Sequence, residues 1–190
     1  MDLKNDATYR RNEITAEQVE SIKKDINQFR VVYDTYFDSI FRFLYRRSDN
    51  EALASELSSN TFLKALENIK KYEYRGVPFS SWLYRIAANE LNKFYRKNSK
   101  VQVFSIEEER IREVVHDDLG EDIEQMIDSL KMYLEELKDE ELNILELRFY
   151  EGLEFTEIAY VLEKKESAVK MRLYRSLEKL RKKFKSKESK

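Results

Sequence analysis

Scarcity of chain-bending residues constrains this sequence more than any other feature. Its 190 residues include only 3 glycines and 1 proline. A many-stranded sheet needs a tight turn at every reversal, and such turns draw on Gly and Pro, whereas a few long helices need a handful of turns. The expected fold is therefore all-α. A hydrophobic share of 42% is enough to bury real cores, and the length suits one ordinary domain or two small ones. The charged share is 38%, against roughly 25% in average domains, so the helices should carry broad solvated faces.

Hydrophobic periodicity divides the chain. Residues 1–25 are polar and read as a flexible extension. Phe29, Tyr33, Tyr36, Phe37, Ile40, Phe41 and Leu44 then recur at three- and four-residue steps, one face of a helix starting near Gln28. A second helix over 51–70 turns Leu57, Thr61, Phe62, Ala65, Leu66 and Ile69 inward. The segment 71–78 holds the only Pro and one Gly, hence a loop. A third helix starts near Phe79, with Ser80 or Ser81 as N-cap, and buries Phe79, Trp82, Leu83, Ile86, Ala87, Leu91 and Phe94. Residues 26–100 thus form one helical domain, and residues 101–120 an acidic linker to a second domain over 121–190. In that second domain Ile123, Met126, Ile127, Leu130, Leu134 and Leu137 make one stripe. Asp139 caps a helix carrying Leu142, Leu145 and Phe149, and Gly152 suits its C-terminal end. A short helix over 156–162, a polar turn, and a long final helix from about Ser167 complete a helix-turn-helix.

Several function classes are excluded. There are no cysteines, hence no disulfide, Cys-based zinc site or thiol nucleophile. The one histidine, His116, lies in an acidic stretch without convergent ligands, so no metal and no cofactor is expected. No Gly-rich phosphate loop or nucleophile–base pair suggests catalysis. The first residues carry no apolar leader, and no apolar run approaches the ~18 residues of a membrane span. The expected location is cytoplasmic, with no membrane insertion.

The net charge of −2 taken alone argues against nucleic acid, but the charges are segregated. From Lys164 to Lys190 twelve Lys or Arg face three acids, a formal +9. A basic helix preceded by a short helix and a tight turn can enter a major groove by its N-terminal end, gaining from counterion release. Val169, Leu173, Leu177 (or Ser176), Leu180 and Phe184 should face the core of that domain. A second signal lies on the third helix: Arg85, Asn89, Asn92 and Arg96, spaced by four, three and four, share one polar side with Lys93 beside them. Arg and Asn are the types that make bidentate contacts to base edges. In the preceding loop Tyr72, Tyr74 and Arg75 offer stacking surfaces next to Gly76, the platform type that holds single-stranded or extruded bases.

Together these stretches resemble a bacterial sigma factor of the extracytoplasmic-function (ECF) type. The resemblance rests on the order and spacing of residues 36–44, 54–66, 79–91 and 157–159 and of Val169-Lys170-Met171-Arg172-Leu173-Tyr174-Arg175. It implies that the first domain docks on core RNA polymerase, on the clamp helices of the largest subunit, through the helix with Glu56, Leu57, Asn60, Thr61, Phe62 and Lys64. It implies that the loop with Tyr72, Tyr74, Arg75 and Gly76, and the helix with Arg85, Asn89, Asn92, Lys93 and Arg96, melt and read the −10 promoter element. Lys165, Ser167, Ala168, Lys170, Met171, Tyr174 and Arg175 would contact the −35 element, and the acidic linker would follow the RNA exit path. It further implies an anti-sigma partner.

The sequence departs from the family pattern in places. Ser59 stands where Gln is common, Asn92 where Asp is common, Lys138 where Pro is usual and Ala168 where Thr is common. Glu163 occupies a turn position where Gly is usual, which in left-handed geometry costs roughly 1–2 kcal/mol. Two other readings of the residues stay open at this point. One is a conventional regulator binding duplex operators through the helix-turn-helix. The other is a helical adaptor that binds proteins alone.

Overall fold

The computed structural model describes residues 13–98, 128, 130–134 and 136–188, with side chains as far as 182. Among these residues every regular element is helical. The acidic linker, and Ile123, Met126 and Ile127 of the expected stripe, lie outside them.

The chain orders earlier than its polarity suggests. Helix α1 spans Ala16–Lys24. Thr15 caps it by accepting from Gln18 N–H, and the Gln18 side chain accepts from Thr15 N–H at 2.9 Å, a reciprocal capping box. Val19 and Ile22 are buried on its inner face. The flexible extension expected over 1–25 is therefore corrected for 13–25: two apolar residues three apart, plus the box, suffice to dock a short helix. Residues 1–12 lie outside the described residues. A 3₁₀ turn, Ile26–Phe29, leads into α2, Arg30–Ser48. Asp49 ends α2 in the left-handed region at φ 47°, and Asn50 caps α3, Glu51–Asn68, by accepting from Leu53 N–H. A second 3₁₀ turn, Ile69–Lys71, opens the loop to α4, Phe79–Asn98.

Neither Ser80 nor Ser81 caps α4, because both lie within it. The Ser80 N–H donates instead to the carboxylate of Glu13, 2.8 Å away. The Ile14 N–H donates to the Tyr36 hydroxyl at 2.9 Å. The segment before α1 thus straps the start of α4 to α2. Burial with Glu13 nearby holds the Tyr36 hydroxyl far above its usual range.

In the C-terminal half, residues 130–134 are helical. Helix α5 spans Asp139–Phe149, α6 Phe155–Leu162 and α7 Glu166–Glu188. Asp139 is the first helical residue rather than the cap. The N-terminus is closed from one side only, by the Glu141 carboxylate accepting from Lys138 N–H at 3.0 Å, and the acids of the first turn favour the positive end of the helix dipole. Phe149, expected inside, is 47% exposed. Gly152 takes φ 66° in the turn after α5, where a side chain would be strained. Leu130 and Leu134 pack with Tyr133, Leu137 and Leu142 in a small cluster. Ser176, not Leu177, is the fully buried residue at the middle of α7, its carbonyl accepting from the Tyr133 hydroxyl.

The two halves are not separate. One buried apolar cluster runs from Ile14, Ile22 and Val32 through Phe43, Leu83 and Leu91 to Ile144, Leu147, Ile158 and Val169. Helix α4 packs along α6.

Candidate nucleic-acid and polymerase interfaces

On α4 the polar side expected from spacing is real. Asn89, Asn92, Lys93 and Arg96 are exposed, and the opposite side buries Phe79, Leu83, Ala87 and Leu91. Arg85 is the exception. Its guanidinium pairs with the Glu163 carboxylate and lies 5.2 Å from the centre of the Tyr160 ring, both from the C-terminal half.

The loop before α4 separates into inner and outer residues. Tyr72 is buried, edge-on to Phe79 at 5.1 Å and 5.0 Å from Trp82. Burial pushes its hydroxyl up to about 12. It anchors the loop and is not a free stacking platform, a correction to the sequence reading. Tyr74, at 69% exposure, with Arg75 and Gly76 beside it, is open to solvent. Gly76 has φ 76°, and nothing lies within 4 Å of a Cβ placed there. Backbone conformation rather than crowding requires glycine at that point.

The expected docking helix also splits in two. Leu57, Thr61 and Phe62 are buried, and the Thr61 hydroxyl donates back to the Leu57 carbonyl. They hold α3 in place and cannot touch a partner. Glu56 is exposed, and Asn60 and Lys64 are half-buried. Lys64 pairs with Glu90 of α4. Leu63, 54% exposed, joins this outer face although the sequence reading omitted it. The signal was available: 56, 60 and 63 follow one another at four- and three-residue steps, a helical stripe distinct from the buried 57, 61 and 65.

On α7 and just before it, Lys165, Ser167, Met171, Tyr174 and Arg175 are exposed, and Ala168 and Lys170 are half-buried. Lys170 bonds Glu166 at 2.5 Å and lies 5.3 Å from the Phe155 ring centre. Arg172 turns away from this face and pairs with Glu140, which Lys164 also approaches at 3.5 Å. Partial burial works to raise the Glu140 carboxyl, but Arg172 and Lys164 outweigh it and hold it below the usual range. Val169 and Leu173 are buried as the spacing predicts, and Ala159 is buried in α6. Glu163 adopts the left-handed geometry at φ 55°, and Lys164 N–H closes the turn on the Ala159 carbonyl.

Sequence reasoning missed one cluster altogether. Arg46 and Arg47 at the end of α2 are buried, as is Glu146 of α5. Arg46 Nε donates to Glu146 Oε1 at 3.1 Å, and its other nitrogen pairs with Glu151. Arg47 Nε lies 3.8 Å from Glu146 Oε2. The Tyr84 hydroxyl bonds Glu151. Burial pushes the Glu146 carboxyl up to about 8 against the pull of Arg47 and Arg46. Periodicity could have pointed to Arg47, which sits four residues beyond Phe43 and seven beyond Ile40.

Among the described residues no group of His, Asp and Glu is placed to hold a metal, and no helix is long and apolar enough to cross a membrane.

Comparison with known proteins agrees with this arrangement. Residues 32–101 match the family Sigma-70 region 2, and residues 133–182 match Sigma-70, region 4. The chain is 30% identical over 155 residues to the ECF RNA polymerase sigma factor BldN of Streptomyces coelicolor, covering 80% of this chain but 59% of BldN. It is 29% identical over 154 residues to the RNA polymerase sigma factor YlaC of Bacillus subtilis, covering 80% of this chain and 88% of YlaC. Among solved structures, the sigma factor RpoE of Bartonella quintana, determined with the anti-sigma factor NepR, superposes with a TM-score of 0.60 at 18% identity, over 83% of this chain and 96% of that one. At that identity the match shows the fold. Neither the duplex-operator regulator nor the adaptor accounts for a region 2 and a region 4 on one chain. The chain therefore belongs to the sigma-70 family, as a promoter-recognising RNA polymerase sigma factor of the ECF type.

Proposed function

We propose that the two halves divide promoter recognition as follows. The domain over 26–100 docks on core RNA polymerase, at the clamp helices of its largest subunit, through the outer face of α3: Glu56, Asn60, Leu63 and Lys64. Asn89, Asn92, Lys93 and Arg96, with Arg85 once it is released, read the −10 element, and Tyr74 and Arg75 hold bases drawn out of the duplex. Lys165, Ser167, Met171, Tyr174 and Arg175 contact the −35 element, flanked by Ala168 and Lys170. The acidic segment 101–120 joins the two. The chain supplies binding and strand separation and performs no bond chemistry of its own. It works in the cytoplasm beside the polymerase, and an anti-sigma factor is the further partner that family membership implies.

The observation that carries this reading is the pair of exposed polar faces on α4 and α7, each backed by a helical core on one chain. Basic residues gain affinity from phosphates, and Asn, Arg and aromatic groups discriminate bases. The test is transcription from a fragmented genomic library of the source organism by core polymerase with and without the purified chain. Promoter-specific initiation and a stable core complex are expected. Absence of both would sink the proposal.

A further inference from the structure

Helix α4 carries no cap of its own. The residue before it is Pro78, which has no side-chain oxygen to accept from the first amide groups. The Ser81 N–H turns back to the Pro78 carbonyl at 3.1 Å. The Ser80 N–H is taken by Glu13, 67 positions earlier in the chain, at 2.8 Å. A carboxylate there also meets the positive end of the helix dipole.

Glu13 is itself held in place. Its neighbour Ile14 is buried, and the Ile14 N–H donates to the Tyr36 hydroxyl at 2.9 Å. That hydroxyl also hydrogen-bonds Glu13. The Tyr36 ring lies 6.0 Å from the ring of Phe79, the first residue of α4. On the other side of Ile14, the Thr15 capping box starts α1, which Val19 and Ile22 fix to the core. A chain of contacts thus runs from α1 to the first turn of α4 through one carboxylate.

That turn supports the loop before it. Tyr72 and Val77 are each 8% exposed, whereas all four residues between them are open to solvent. The loop therefore projects from two anchors. Tyr72 packs on Phe79 and Trp82 of the first turn, and Val77 is joined to the same turn by Pro78 alone. Both anchors move with the start of α4. If that turn frays, a captured base must supply the ordering of Tyr74 and Arg75, at a cost in affinity.

We infer that Glu13 is a positioning residue for base capture: it pins the first turn of α4 from a segment outside the reading faces, so that the Tyr74–Arg75 loop is ordered before DNA arrives. The inference deepens, and rests on, the proposed role of Tyr74 and Arg75.

The test uses the full chain with Glu13→Ala, which removes the carboxylate and leaves the Ile14 amide contact in place. Amide hydrogen exchange of the free chain is read first. Exchange over residues 73–81 should speed up roughly three- to tenfold, the scale of a lost helix cap, with α3 unchanged. Unchanged exchange there overturns the strap, whatever happens at a promoter. Adding Pro78→Ser puts a side-chain acceptor at the cap position and should restore slow exchange. Failure to restore it overturns capping as the means. Promoter opening is then followed with core polymerase, by permanganate reactivity on a fragment recovered from the genomic library. Glu13→Ala should lower opening roughly three- to tenfold, the affinity that ordering one or two side chains in advance supplies. Core affinity should match the parent, and Pro78→Ser should recover most of the loss. The decisive readout is Glu13→Ala in a Tyr74→Ala chain. Acting through the loop, it should cost less than about a further twofold there. The same loss in both backgrounds marks a purely structural role and overturns positioning, as does core affinity lost in step with opening. Faster exchange with opening unchanged overturns positioning and leaves the promoter reading intact. No opening by the parent on any fragment overturns that reading and the positioning role with it, while exchange still reports on the cap.

Discussion

Burying charge changes what a single residue does here. Glu146 faces Arg46 and Arg47 of α2, Tyr84 of α4 and Glu151 beyond its own helix, and Asp139 at the start of α5 lies near Arg47. Burial raises its carboxyl to about 8, above the usual 4.5. A raised folded-state pKa means that folding takes up a proton. Its stabilising effect is full below about 4.5 and is lost as pH climbs through 8. Acidification below 5 works the other way through Glu140, whose lowered pKa supports the fold only while it is ionised. Urea unfolding should therefore show a midpoint that falls as pH rises from about 5 to about 8 and levels off above, by an order of a few kcal/mol at most. Glu146→Gln should flatten that alkaline limb. A limb that persists in Glu146→Gln would assign the titration to another group. A second residue-level contrast separates anchor from reader in the loop. Tyr72→Ala empties a packed site against Phe79 and Trp82 and should cost about 2–4 kcal/mol of stability. Tyr74→Ala should leave the unfolding midpoint unchanged and lower promoter opening. If Tyr72→Ala impairs opening at full stability, Tyr72 is a base contact after all. The sequence could not separate the two tyrosines, because they lie two apart in a loop where helical periodicity no longer reports which side is buried.

Elements were legible where one face is apolar and a cap or a break marks each end. Helices α2, α3 and α4 and the helix-turn-helix of α6 and α7 were readable for this reason, as was the loop at Gly76 and Pro78. Helix α1 was not. Its 9 residues bury only Val19 and Ile22, too few to stand out as a stripe, and the segment before it contributes through Glu13, which caps a helix 67 positions away in sequence. Local pattern carries no information about such a partner. The prediction at this scale is that Glu13→Ala costs about 1 kcal/mol, the usual value of an N-terminal cap. Removing residues 1–25 should cost several kcal/mol through the lost burial of Ile14, Val19 and Ile22, at roughly 1.5–3 kcal/mol for each. Urea titration of the two variants measures both effects. An N-terminal truncation as stable as the parent would mean that α1 contributes nothing to the domain.

At the scale of the whole molecule, amphipathic spacing identifies which face of a helix is buried but not against what. Tyr84 and Ala88 lie off the main apolar stripe of α4, yet both are buried because the C-terminal half covers them. The same limit hid the Arg46–Glu146 contact, whose partners are 100 positions apart. The site was legible in outline for a related reason: Asn89, Asn92, Lys93 and Arg96 share one side by spacing alone. The docking residues Leu57, Thr61 and Phe62 were misplaced because similarity to a family reports a helix, whereas contact requires the outward half of it. In the proposed division of labour α4 reads the −10 element while α3 holds polymerase. Asn89→Ala with Arg96→Ala tests it most directly, with core binding measured by native gel and promoter opening by permanganate reactivity of unpaired thymines on the same complexes. Core affinity near that of the parent is expected, with opening reduced at least about tenfold, the effect of losing two base contacts worth about 1–3 kcal/mol each. Core affinity lost in step with opening, or opening left intact, would contradict it.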